Sequence, residues 1–247
     1  MLGFRKLMLV QTKLYLREPM AAFFTLLFGP AMLVLLGAIF GNDPDPMLGG
    51  QGYLERSIPS YMAMVVGIVG LTAVPITSAI RREEGVLRRF SVTPLRPLTY
   101  FLTDVLAPFV MLLLGMLLII VMGTVVYRVG FEGNLLSLLA AICLGAWTFI
   151  ALGYALVGLI RSARAVVVIG NVVLYPMVIF SGAMIPLEVM PDTVQTVSRF
   201  LPLTHLVALL RGLWFGQGWG DLLTEVAVLA GLAIVGMVII ARTFRWE

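Results

Sequence analysis

"RREEGVLRRFSVTPLRP", residues 81–97, is the most polar stretch of a chain otherwise built to avoid water. Seven of the chain's 30 charged residues fall in these 17 positions: Arg81, Arg82, Glu83, Glu84, Arg88, Arg89 and Arg96. Apolar runs at 58–80 and 104–127 flank it. Each is long enough to cross the roughly 30 Å of bilayer hydrocarbon as a helix. The stretch therefore reads as a connection between two membrane spans.

Working outward, four more runs qualify or nearly qualify as spans, at 20–41, 135–160, 165–181 and 221–241. Mean hydropathy is +1.03 and only 12% of residues are charged, against roughly a quarter in soluble domains. The expected fold is an all-α polytopic membrane protein, one membrane domain over 1–247 with six transmembrane helices. Gly29-Pro30, Pro75, Pro108 and Pro176 fall within spans. Proline removes a backbone donor, so these positions predict bent, closely packed helices.

Residues 1–19 read as an N-terminal interfacial helix. At 100° per residue Arg5, Lys6, Lys13 and Arg17 share one face, with Phe4, Leu7, Met8, Leu14 and Tyr15 opposite. Such a helix suits an anionic leaflet. Residues 182–220 hold two apolar pieces, near 191–200 and 203–215, too short to span. They predict re-entrant or interfacial helices, with Trp214 and Trp219 as headgroup anchors. The segment 81–103 is the expected cytoplasmic connection.

Basic residues gather on cytoplasmic flanks. Thirteen of the 17 Lys and Arg residues lie on one set of flanks, the set that includes both ends of the chain and residues 81–97. This places both termini in the cytoplasm of a multi-pass plasma-membrane protein, and makes the basicity topological, with no nucleic acid as partner. No cleavable signal sequence is expected.

Several chemistries have no residues to support them. Neither of the two lysines, Lys6 and Lys13, follows a glycine, so no phosphate-binding loop is present. Span interiors carry almost no ionisable groups. Asp104, Asp221 and Glu225 sit near span ends, which weighs against a proton relay. One histidine, His205, and one cysteine, Cys143, make neither a metal site nor a disulfide. No catalytic residues and no bound cofactor are expected in this chain.

A bundle without an engine and one dense charged loop remain. Arg82, Glu84, Arg88 and Arg89 are suited to charge-assisted pairing with a partner, and Val86, Leu87 and Phe90 to apolar anchoring. Thr93-Pro94 ends any helix there. On spacing alone the loop is either a docking element for an energy-supplying soluble partner or a solvated loop near headgroups.

Two stretches carry a resemblance. "EEGVLRRFSVTPLRPLTYFLTDVL", with Glu84-Gly85, Leu87 and Thr93-Pro94-Leu95, resembles the cytoplasmic signature of the type-2 ATP-binding-cassette (ABC) exporter permeases. "SGAMIPLEVMPDTVQTVSRFLPLTHLVALLRGLWFGQG" is similar to the same family's outer signature. Its elements are Ser181-Gly182, Pro186, Met190-Pro191, Pro202-Leu203-Thr204-His205 and Leu210-Arg211-Gly212.

The resemblance implies a six-span permease with a short coupling helix between spans two and three. It implies two cytoplasmic ATPase subunits that bind ATP and Mg, and a second permease subunit. A homodimer is the expected arrangement and a heterodimer the alternative. Where many members have Glu-Gly-Thr, this chain has Glu84-Gly85-Val86, so a hydroxyl contact is lost. The expected function is export of a hydrophobic or amphipathic substrate, whether drug, lipid or lipid-linked glycan. The fourteen Met and fourteen Phe suit an adaptable apolar cavity but are equally good bilayer residues. A secondary transporter or channel needing no ATPase is the alternative.

Overall fold

The computed structural model describes residues 2–42, 52–85, 97–185, 187 and 190–243, with the side chains of 2, 3, 5 and 97–101 left aside. Among the described residues every regular element is helical. Helix α1 is Leu2–Arg17. Six helices are long and apolar enough to span a membrane. They are α2 (Pro19–Phe40), α3 (Tyr53–Glu83), α4 (Pro97–Val121, continued by a π turn at Met122–Val126), α5 (Leu135–Leu159), α6 (Ala163–Phe180) and α9 (Leu223–Thr243). Two shorter helices, α7 (Asp192–Ser198) and α8 (Pro202–Trp214), lie between α6 and α9.

Helix α3 is the axis of the bundle. Ten consecutive residues, Ile58 to Gly67, are buried, so this helix is enclosed on all sides, as a uniformly apolar helix must be. Its backbone comes closest to α5 where two glycines meet. A Cβ on Gly153 would strike the Gly70 carbonyl and come within 2.6 Å of the Pro75 ring. Small residues at such crossings let membrane helices approach. Helices α5 and α9 pack side by side, and the Thr148 hydroxyl, 2.8 Å from the Leu144 carbonyl in its own helix, also reaches the Leu229 carbonyl of α9 at 3.1 Å.

Three spans contain a π turn: Phe23–Leu27, Val69–Ala73 and Met122–Val126. Each turn holds a threonine that donates to a carbonyl one turn back. Thr25 reaches Ala21 at 2.7 Å, Thr72 reaches Ile68 at 2.6 Å and Thr124 reaches Ile120 at 2.8 Å. In hydrocarbon a carbonyl displaced from the helical ladder needs another donor, and the hydroxyl supplies it. Pro30 and Pro75 follow the first two turns, while Pro59, Pro108 and Pro176 sit inside regular helix. The irregularities thus coincide with two of the four expected breaks, and the third needs no proline.

One expectation changes, and the packing of α1 is seen. Trp214 is no headgroup anchor: it is fully buried, its indole N–H donates to the Gly130 carbonyl at 3.0 Å, and Phe131 packs against it edge-on. The physical reason is that α8 is itself a core helix, with Leu203, Leu206, Leu209, Leu210 and Leu213 buried against α3, α5 and α9. In α1 the buried positions are Gln11 and Tyr15, while Leu14 and Phe4 are exposed. The helix packs on α4 there, with Tyr15 coming from the apolar face read in the sequence, whose Phe4 and Leu14 stay uncovered by the chain.

Candidate functional site

Six spans alternate in direction, so α1, the end of α3, residues 160–162 and Thr243 share one end of the bundle. It is the end rich in Arg and Lys. Three consecutive residues at the end of α3 each fasten a different neighbour there.

Arg81 turns inward. Its guanidinium donates to Asp104 on α4 at 2.9 Å, to Gln11 on α1 at 3.0 Å and to Glu18, at the α1–α2 corner, at 3.1 Å. Glu18 accepts a second bond from Thr77, one turn back on α3, at 2.9 Å. The other oxygen of Asp104 accepts from the Tyr154 hydroxyl of α5 at 2.7 Å. Two carboxylates thus share one guanidinium, with both Asp104 oxygens occupied. The Asp104 side chain is only 9% exposed and that of Glu18 38%, so the Asp104 arm acts in low dielectric and the Glu18 arm is screened.

Arg82 reaches the end of α5. It donates to the carbonyls of Val157 at 2.5 Å, Ile160 at 2.6 Å and Arg161 at 2.9 Å. Those carbonyls have no helical partner beyond the last turn, and a cation there also meets the negative end of the helix dipole. Glu83 does the converse for α6: its carboxylate accepts from the Ala163 N–H at 2.6 Å, beside the Ser162 N-cap. Tyr15 completes the fastening from α1, bonded to Thr25 in the first π turn at 2.6 Å. Burial pushes its phenol up to about 12.

Glu84 is exposed at the end of α3, and Gly85 stops the helix with a left-handed φ of +67°. Glycine adopts that conformation without the Cβ penalty. Val86, Leu87, Arg88, Arg89, Phe90, Thr93 and Pro94 lie outside the described residues. Of the sequence-predicted coupling residues, then, Arg82 is engaged within the chain, while Glu84 and Gly85 lead outward.

The outer motif lies at the opposite end. Ser181 is buried, and its hydroxyl accepts from the Ala183 N–H at 3.3 Å. Gly182 has a φ of +84°, with Leu187 packed over it. Pro186 lies outside the described residues. The Pro191 carbonyl accepts from the Val194 and Gln195 N–H groups of α7, and Pro202 opens α8. The imidazole of His205 meets the Arg199 carbonyl at 2.8 Å, tying α8 to the end of α7. Arg211 lies in the last turn of α8. These residues terminate and start helices; no metal-ligating cluster occurs among the described residues.

A cavity of about 1050 Å³ opens beside the fastened end, between α1, α2, α3 and α6. Arg17, Glu18, Arg81 and Glu84 line it toward the basic end, and the rest of its wall is mostly apolar, from Leu14 and Phe24 to Ile68 and Leu174. Arg81, Glu18, Asp104 and Tyr154 were not singled out as a site in the sequence, because their partners stand 23 to 63 positions from Arg81 along the chain or are joined only through Asp104.

Comparison with known proteins agrees with this architecture. The chain is similar to the inner membrane transport permease YhhJ of Escherichia coli (strain K12), 27% identical over 175 residues, covering 68% of this chain and 47% of that protein. It is also similar to nodulation protein J of Rhizobium leguminosarum bv. trifolii, 32% identical over 96 residues, covering 39% of this chain and 37% of that protein. It spans about half or less of the length of these curated relatives. The model of the ABC-2 type transporter family matches residues 3–215, from the start of α1 through α8. The two sequence signatures, the six spans and this match over most of the 247 residues agree: the chain belongs to the ABC-2 type transporter family.

Proposed function

We propose that the chain is the permease subunit of an ATP-driven exporter, moving a hydrophobic or amphipathic molecule out of the cytoplasm or the inner leaflet. A separate ATP-binding-cassette ATPase, in two copies, binds ATP and Mg and supplies the energy, and a second permease subunit, most simply another copy, completes the transporter. The basic end of the bundle is its cytoplasmic end.

One observation carries the reading. Arg81, Arg82 and Glu83, immediately before the 86–96 segment, hold α1, α4, α5 and α6 together. A push delivered to residues 84–96 by a docked ATPase therefore reaches four elements at once through a stiff, hydrogen-bonded end. The cavity supports the same reading, since it lies beside this end and its lining, charged at the basic end and apolar elsewhere, suits amphipathic cargo.

The test is co-expression with an ATP-binding-cassette ATPase that co-purifies with the chain. Reconstituted together, the two should hydrolyse ATP at a rate that responds to a panel of lipophilic compounds; the purified chain alone should hydrolyse none. ATP hydrolysis that follows this polypeptide when free of other proteins, or cargo movement without any ATPase, contradicts the proposal. The second outcome favours a secondary transporter.

A further inference from the structure

Among the described residues, two uncharged polar side chains on the wall of the large cavity meet no hydrogen-bond partner, those of Asn171 and Tyr175. Gln11 and Glu18 bond to Arg81, Thr77 to Glu18, and Thr72 to its own helix. Asn171 also lines the cavity, yet its carboxamide meets no hydrogen-bond partner there. It stands mid-way along α6 (Ala163–Phe180), about 12–13 Å from either end at 1.5 Å per residue. That is the depth at which an unmet polar group is most costly. The neighbouring Gly170 lies where α6 comes closest to α3, so near that a Cβ there would be 2.8 Å from the Leu71 carbonyl. Asn171, the next residue, lines the cavity together with Thr72 of α3.

Its position also says what meets it. The outward crest of α6 is Val168, Val172, Tyr175 and Ile179, at exposures of 55%, 65%, 62% and 43%. These lie at helical spacing on one face. Tyr175 of that crest also lines the cavity, beside Asn171 and Leu174. The charges lining the cavity are Arg17, Glu18, Arg81 and Glu84, two of each sign and all toward the basic end of the bundle. None stands beside Asn171.

We propose that Asn171 is the hydrogen-bonding seat of a ligand site in this cavity. The ligand is an elongated apolar molecule carrying one uncharged hydroxyl, ester or amide group. A carboxamide both donates and accepts, so it takes any of these groups. The cavity's volume is that of a ligand site, with an apolar lining and few polar groups. This inference rests on the export reading and narrows its substrate class.

The test uses the full chain in nanodiscs, without an ATPase, and two photoreactive probes: hexadecanol with a mid-chain diazirine, and hexadecane with the same group. In the wild type the alcohol should label α3 and α6 peptides lining the cavity, and unlabelled hexadecanol should compete. N171L should need about tenfold more alcohol for half-labelling, the effect of one lost hydrogen bond in a buried site. N171Q should stay close to wild type, and hexadecane labelling should be the same in all three. Where N171L does not yield monodisperse protein, N171A makes the same comparison. Unchanged half-labelling in the variant, or labelling confined to the crest of Val168 and Val172, overturns the proposal. So does equal cavity labelling by the two probes in wild type, which would mean that water alone satisfies Asn171. Because no ATPase is present, a negative result leaves the energy-coupling reading standing. Failure of ATP coupling likewise leaves the binding result intact.

Discussion

Replacing Arg81 with Met keeps the length and apolar stem of the side chain but removes the charge shared by Asp104 and Glu18. The two arms are not equal. The Asp104 side chain is 9% exposed, and its Arg81 contact is 2.9 Å. Stranding a buried carboxylate costs about 3–5 kcal/mol. The Glu18 arm, at 38% exposure, is worth about 0–1 kcal/mol. Arg81→Met should therefore lower stability by about 3–5 kcal/mol, and Glu18→Gln by less than about 1 kcal/mol. The double variant Arg81→Met/Asp104→Leu removes both buried charges and should recover much of the loss. The assay is the midpoint of heat-induced loss of monodisperse protein in detergent. It should fall on the order of 10 °C for Arg81→Met and scarcely move for Glu18→Gln. An Arg81→Met protein that melts with wild type refutes the reasoning. A double variant as unstable as the two single changes added together also refutes it, since the cost would then not lie in an unpaired charge.

Other outcomes follow from the same geometry. Arg82→Ala leaves the carbonyls of Val157, Ile160 and Arg161 without their donor. It should cost about 1.5–3 kcal/mol and raise amide exchange at residues 160–163 selectively; uniform exchange across α5 would contradict the capping role. Gly153→Val drives a side chain into the Gly70 carbonyl and should abolish monodisperse protein, whereas Gly231→Val, with nothing within 4 Å of its Cβ, should be neutral. Equal behaviour of the two would sink the glycine-crossing argument. Single cysteines at Gly49 and Arg88, in a Cys143→Ser background, should react with an impermeant maleimide from opposite sides of the membrane. Labelling from one side contradicts the topology.

The six spans were legible because each is a long apolar run bounded by charge, and hydrocarbon thickness admits little else. The outer segment was legible in part. Its two short apolar pieces could be seen, but the enclosure of α8 could not, because an amphipathic helix of that length reads the same at an interface as in a core. Trp214 was misplaced for that reason. The π turn at Met122–Val126 had no proline to announce it, and its trace in the sequence is Thr124, recognisable only beside Thr25 and Thr72. The fastened end was hidden differently. Arg81 counted correctly as a basic flank, but a positive charge on a flank is the commonest feature of any membrane protein. Only folding brings Glu18, Gln11 and Asp104 to the same guanidinium. Asn171 lay inside an apolar run and stood out only once its helix had a cavity on one side.

The central claim is that residues 81–97 hold an ATPase and pass its motion into the bundle. Glu84→Ala and Arg88→Glu test it most directly, with Arg242→Ala as a control on the same end. All three, co-expressed with the ATPase that co-purifies with the wild-type chain, are assayed for monodispersity, ATPase retention and ATP-driven cargo movement in proteoliposomes. Each protein should fold. Glu84→Ala and Arg88→Glu should lose the ATPase or hydrolyse ATP without transport, and Arg242→Ala should match wild type. Full ATPase retention and wild-type transport in both loop variants would make the segment a solvated loop and contradict the account.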